Sequence, residues 1–186
     1  MSVRLILVRH GETHWNKANK LQGRADISLN KNGKRQIRKT SAKIKKSGEK
    51  PQKIIASPMA RAMQSAGILA NILKISFMID KNLSERNFGC LEGRTWKEIN
   101  KLYGPNFKEI DRKQQYDYRA YGGESARQVG KRISNFIDYA KKKYDGKTIL
   151  VVTHAGVLRY LSIMLHKMGI DFDHSMEPGA YCIVEL

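Results

Sequence analysis

Val3-Arg4-Leu5-Ile6-Leu7-Val8 runs directly into Arg9-His10-Gly11-Glu12-Thr13. The first six residues form an apolar, branched run that reads as a buried strand over 3–8. The glycine then permits a tight turn off the strand's carboxyl end. Carboxyl ends of strands in open α/β sheets are where ligands sit. This stretch therefore sets an arginine and a histidine side by side where a site would be built. A strand ending in ordinary polar residues is the plainer reading of a lone Arg-His pair, and the Gly-Glu that follows weighs against it.

Two further junctions share this grammar. Thr148-Ile149-Leu150-Val151-Val152-Thr153 is a second buried-strand run, and it delivers His154-Ala155-Gly156 into a helix expected to begin near 156. Lys53-Ile54-Ile55-Ala56 is a short strand, and Ser57-Pro58 then reads as an N-cap with proline at the first helical position. Arg61 falls in the first turn of that helix, beside the positive end of its dipole. Three strand ends thus offer two histidines and two arginines. Helix-start amides and guanidinium forks are what phosphate oxygens require.

Elsewhere the pattern places strands at 75–79 and 180–185, and helices at 31–47, 58–73, 96–103 and 126–144. Thr95-Trp96-Lys97-Glu98 and Ser125-Ala126-Arg127-Gln128 have capping-box spacing, which sets two of the helix starts. Strands alternating with helices imply an α/β fold, a three-layer sandwich whose mainly parallel central sheet is flanked by helices. Residues 80–124 fit this least, mixing Gly, Asn, Tyr and charge with short helical pieces. The expectation is a single domain over 1–186, with loops that carry function in the 80–124 stretch.

No apolar stretch approaches membrane-spanning length, and the amino terminus enters a strand rather than a signal peptide, so a cytoplasmic protein with no membrane insertion is expected. Two cysteines, Cys90 and Cys182, give no disulfide framework. Net charge is +18, from 35 basic and 17 acidic side chains. The densest run is Lys31, Lys34, Arg35, Arg38, Lys39, Lys43, Lys45, Lys46, Lys50 and Lys53, with Glu49 the one acid among them. Ile37 and Ile44, with Thr40-Ser41, would face inward and leave a cationic helical surface. Such a surface attracts nucleic acid, acidic membrane or phosphorylated ligands. The run lacks interleaved aromatics and any base-reading motif, so a solvated face is favoured over a nucleic-acid or acidic partner.

The chain resembles the histidine phosphatase superfamily, the phosphoglycerate mutase-like proteins. Arg9-His10-Gly11-Glu12-Thr13 with Trp15-Asn16 is similar to the family's opening signature. Leu21-Gln22-Gly23-Arg24 with Asp26, Leu29 and Gly33 is similar to its next block. Ser57-Pro58 with Arg61-Ala62 and Gln64-Ser65-Ala66 follows, then Leu83-Ser84-Glu85-Arg86 with Phe88-Gly89 and Glu92-Gly93. Gly122-Gly123-Glu124-Ser125 and Val152-Thr153-His154-Ala155-Gly156-Val157-Leu158-Arg159 complete the order.

The resemblance implies a phosphoglycerate mutase-like fold in which 80–124 forms a small lid over the site. It also implies roles. His10 is the nucleophile, which demands a neutral ring with one nitrogen free and the other pinned by a backbone carbonyl. Arg9, Arg61 and His154 surround the transferring group and stabilise charge on its oxygens. Asn16, Gln22, Gly23 and Ala155 make the remaining phosphate contacts. Glu85 protonates the leaving oxygen and later activates water; a salt bridge to Arg86 is its structural alternative. His14, His166 and His174 match no site position. Neither a metal nor another cofactor is expected, since arginines occupy the role cations would play.

The segment between Glu85 and His154 is shorter than mutases use, and their arginine-rich substrate motif is not recognisable in Asp111-Arg112-Lys113-Gln114-Gln115. His154-Ala155-Gly156-Val157 looks more like alpha-ribazole phosphatase and the broad-specificity phosphatases. The resulting expectation is a metal-independent phosphatase acting on a small phosphorylated substrate. A cofactor-dependent phosphoglycerate mutase and a non-catalytic cationic interaction protein on the same fold are the alternatives.

Overall fold

The computed structural model describes residues 2–113 and 117–186. In chain order the elements are β1 (Arg4–Arg9), α1 (His14–Lys17), α2 (Lys31–Lys46), β2 (Lys53–Ala56), α3 (Ala60–Leu73), β3 (Phe77–Ile79), α4 (Trp96–Tyr103), α5 (Phe107–Arg112), α6 (Ala126–Lys143), β4 (Thr148–Thr153), α7 (Ala155–His166) and β5 (Tyr181–Glu185). The five strands make one sheet in the order β3-β2-β4-β1-β5. Neighbours are parallel except β5, which runs antiparallel to β1 with Leu5 opposite Val184.

The unbroken apolar runs of β1 and β4 follow from burial on both faces. Leu5, Leu7, Ile149 and Val151 point into a core with Ile133 and Phe136 of α6 and Val157 and Leu161 of α7. Ile6, Val8, Leu150 and Val152 point the other way, against Ile37 and Ile44 of α2 and Ala62, Ala66 and Leu69 of α3. The result is the expected three-layer α/β arrangement. Helix α2 buries Ile37, Thr40, Ser41 and Ile44, and its lysines and arginines are exposed.

Both anticipated capping boxes are present, at Thr95 with Glu98 and at Ser125 with Gln128. Two boundaries shift. Ser57 is not the N-cap of α3: Met59 holds that position without a side-chain cap. The Ser57 N–H still donates to Val152 O (3.0 Å), extending the sheet ladder, and the Ala60 N–H is capped from a distance by Asp26 Oδ1 at 2.9 Å. The strand expected at 75–79 starts at Phe77, because Lys74 adopts a left-handed cap and the Ile75 N–H turns back onto Ala70 O.

Within 80–124, short helical pieces pack Leu91, Ile99, Phe107 and Tyr118 against Leu21 and Phe88 in a third apolar cluster. Of the Asp111–Gln115 stretch, Gln114 and Gln115 lie outside the described residues. No helix among the described residues is long and apolar enough to cross a membrane.

Candidate active site

Strand β4 lies between β1 and β2, so the carboxyl ends of three parallel strands adjoin. His10 follows β1, His154 follows β4, and Arg61 enters on the first turn of α3 after β2. The two imidazoles meet with ring centroids 5.0 Å apart. A cavity of about 430 Å³ opens here, lined by Arg9, His10, Arg61 and Glu85 and by Asn16, Gln22, Gly23 and Ala155. His154 is fully buried against the His10 ring.

His10 is buried, and its Nδ1 donates to Gly11 O at 2.8 Å. A carbonyl only accepts, so the ring carries its proton on Nδ1 and keeps the Nε2 lone pair available. Burial, then the nearby Arg61 charge, holds the imidazole well below its usual 6.5 despite the Gly11 contact, with Arg9 adding to the effect. The ring is therefore neutral at pH 7. The turn that presents it needs glycine at 11, since a Cβ there would stand 2.5 Å from Gly33 O.

Arg61 has no exposed surface, and its Nη atoms donate to Ala25 O (2.9 Å) and Gly23 O (2.6 Å). Burial pushes its guanidinium down to about 10, with Glu85, Glu92 and Asp26 pulling upward, so it stays charged. Arg9 donates through Nη1 to Met176 O at 2.6 Å, and burial lowers its affinity for its proton while Glu85 and Glu177 restore part of it. The Nε atoms of both arginines are buried without a hydrogen-bond partner among the described residues. Unpaired buried donors are costly, and an anion seated between them relieves that cost.

Glu85 accepts from two backbone amides, Arg86 N–H on Oε1 (2.9 Å) and Gly156 N–H on Oε2 (3.3 Å). The salt-bridge alternative is not the one formed: the Arg86 guanidinium pairs with Asp111 at 2.9 Å and lies over the Tyr118 ring, 4.3 Å from its centroid. Asn16 closes a capping box with Thr13, whose hydroxyl donates to Gln22 Oε1 at 3.1 Å. Both amides are thus held by the turn that follows the His10 loop.

Of the remaining histidines, His14 begins α1, His166 pairs with Asp171 at 2.7 Å, and His174 contacts Ser162 at 3.1 Å. None lines the cavity. Among the described residues no group of three or more His, Cys, Asp or Glu could hold a metal ion. The wall also contains Glu12, Gln36, Trp96, Arg159 and Glu177, which sequence reasoning did not select. Gln36 follows the small, buried Gly33 by one helical turn, and that spacing could have placed it on the inward face.

The profile of the histidine phosphatase superfamily (branch 1) matches residues 5–186. The chain belongs to the histidine phosphatase superfamily. It is 32% identical over 158 residues to phosphoglycerate mutase-like protein 4 of Arabidopsis thaliana, covering 84% of this chain and 68% of that one. It is likewise 32% identical over 162 residues to a metal-independent phosphoserine phosphatase of the same plant, covering 87% and 68%. Among solved structures, a phosphoglycerate mutase from Thermus thermophilus superposes with a TM-score of 0.74 at 27% identity, over 97% of this chain and 91% of that one. A mycobacterial glucosyl-3-phosphoglycerate phosphatase gives 0.83 at 23% identity, over 97% and 91%, and so shares the fold. Phosphatases and mutases of this superfamily are the relatives by which the site is to be read.

Proposed function

We propose that this protein is a metal-independent phosphatase that hydrolyses a small phosphate monoester through a phosphohistidine at His10. The observation that carries the reading is the His10 ring. It is buried and neutral, its Nδ1 is pinned to a carbonyl, and it stands on a cavity wall with two guanidiniums whose Nε donors have no partner among the described residues.

In the first step the His10 Nε2 lone pair forms a bond to phosphorus as the bond from phosphorus to the ester oxygen breaks. Protonated Glu85 gives its proton to that leaving oxygen, and the alcohol departs. In the second step Glu85 takes a proton from water, the water oxygen bonds to phosphorus, and the N–P bond returns its electron pair to Nε2. Phosphoryl transfer demands mostly positioning and charge stabilisation, and Arg9, Arg61 and His154 supply both. Asn16, Gln22, Gly23 and Ala155 complete the cradle. The cavity exceeds what a phosphate alone needs, which leaves room for an alcohol portion along the Trp96 and Arg159 wall.

Quench-labelling with a good phosphomonoester in excess chelator tests the reading. Acid-labile, base-stable phosphoenzyme is expected from the intact protein and none from His10→Ala. Equal labelling without His10, or a strict need for added magnesium, refutes it. Isomerised phosphoglycerate in the presence of a bisphosphoglycerate primer would identify a mutase instead.

A further inference from the structure

Ser57 has a second use that the strand-end position hides. Its hydroxyl oxygen lies 2.7 Å from His154 Nε2 and 3.3 Å from the Met59 backbone nitrogen. A backbone N–H can only donate, so Ser57 Oγ accepts from Met59. The Ser57 side chain is fully buried, and among the described residues His154 Nε2 is the acceptor within reach of its own O–H. A buried hydroxyl proton seeks a partner, so it points to Nε2, which must then be the unprotonated nitrogen. The neutral His154 ring carries its proton on Nδ1, and that atom is buried with no partner among the described residues.

We propose that Ser57 is a positioning residue that fixes His154 as the Nδ1–H tautomer, so that this ring offers a hydrogen-bond donor to the phosphoryl group held at His10. The proposal rests on the phosphatase reading only for the identity of the acceptor. The two histidines are thereby the same tautomer with opposite free atoms. His10 spends its N–H on Gly11 O and keeps a lone pair for attack. His154 has its lone pair occupied by Ser57 and keeps an N–H for the developing charge. Burial, reinforced by Arg61, His10, Arg132 and Arg9, holds His154 well below 6.5, so the ring donates as a neutral imidazole.

Nitrogen-15 NMR of histidine-labelled protein reads the tautomer directly, without substrate. A protonated Nδ1 and a pyridine-like Nε2 are expected for His154, and a protonated Nε2 overturns the proposal whatever the protein's activity. Ser57→Ala should shift that equilibrium and lower kcat more than it raises KM, while Ser57→Thr, which keeps a hydroxyl, recovers the tautomer. His154→Ala alone should cost about a hundred- to a thousandfold in kcat, the usual loss of one oxyanion donor. In that background Ser57→Ala should cost nothing further. Equal losses with and without His154 overturn the coupling. Absent phosphohistidine at His10 with the tautomer intact would instead reject the phosphatase reading.

Discussion

Gly156→Ala separates catalysis from stability at a residue that needs no part in the chemistry. Gly156 is the second residue of α7, and its N–H donates to Glu85 Oε2 at 3.3 Å. A methyl group at this position would overlap Glu85 Oε1 and press on Cδ at 3.2 Å. The carboxylate must retreat by about 1 Å to regain ordinary van der Waals separation. A displacement of that size at a catalytic group costs about a hundredfold in rate. Stability moves little, because alanine in a helix gains about 0.5–1 kcal/mol over glycine. The disturbed amide bond to Glu85 gives back about 0.5–1.5 kcal/mol. With about 2–4 °C per kcal/mol in a domain of this size, the melting temperature should stay within about 4 °C of the parent. Steady-state kinetics on an alkyl and an aryl phosphate, with a thermal melt, reads both quantities. Full activity toward the alkyl ester would refute Glu85 as the positioned acid, and a collapsed melt would refute the claim that the clash is local.

Glu85→Gln should slow alkyl phosphate hydrolysis by about a hundred- to ten-thousandfold, and aryl esters with acidic leaving groups far less; equal losses would assign Glu85 to positioning. Asp111→Asn removes the carboxylate that lies 2.9 Å from the buried Arg86 guanidinium and should destabilise by up to about 3–5 kcal/mol, seen as a lowered melting temperature; an unchanged melt would refute the pair's structural weight. His10 and His154 are both depressed below 6.5 in the fold, so the unfolded chain binds protons there that the folded chain does not. Stability is therefore fully present above pH 6.5 and is lost as pH falls toward the folded values, with a slope of up to about 2.7 kcal/mol per pH unit for two protons. Denaturant melts between pH 7 and 5 measure the slope, and an imidazole signal of either residue titrating between pH 6 and 7 would refute the assignment.

Strands β1, β2 and β4 were legible because burial on both faces demands continuous apolar residues, a pattern that survives without knowledge of neighbours. The capping boxes of α4 and α6 were legible because donor and acceptor lie three residues apart. What escaped was set across the fold. Asp26 caps α3 from 34 residues away. Arg86 passes over the adjacent Glu85 in favour of Asp111, 25 residues on. The capping box at Thr13 uses Asn16 where glutamate or glutamine is the usual signal, so α1 was not anticipated. Ser57 resembled an N-cap because serine before proline commonly is one, and only the position of His154 shows where its hydroxyl goes.

The guanidinium of Arg9 is anchored on a carbonyl 167 residues later in the chain, and the backbone of Arg9 and His10 is held by Gly179 and Ala180. Segments 167 residues apart must therefore meet before the first signature motif acquires its final geometry. Closing a loop of that span carries an entropy cost that local helices do not incur. Folds rich in contacts of high sequence separation fold more slowly. The phosphate clamp should accordingly be regained no sooner than this long-range closure, whatever helices have already formed. Recovery of secondary structure would then run ahead of recovery of anion binding, making the clamp the timer of maturation.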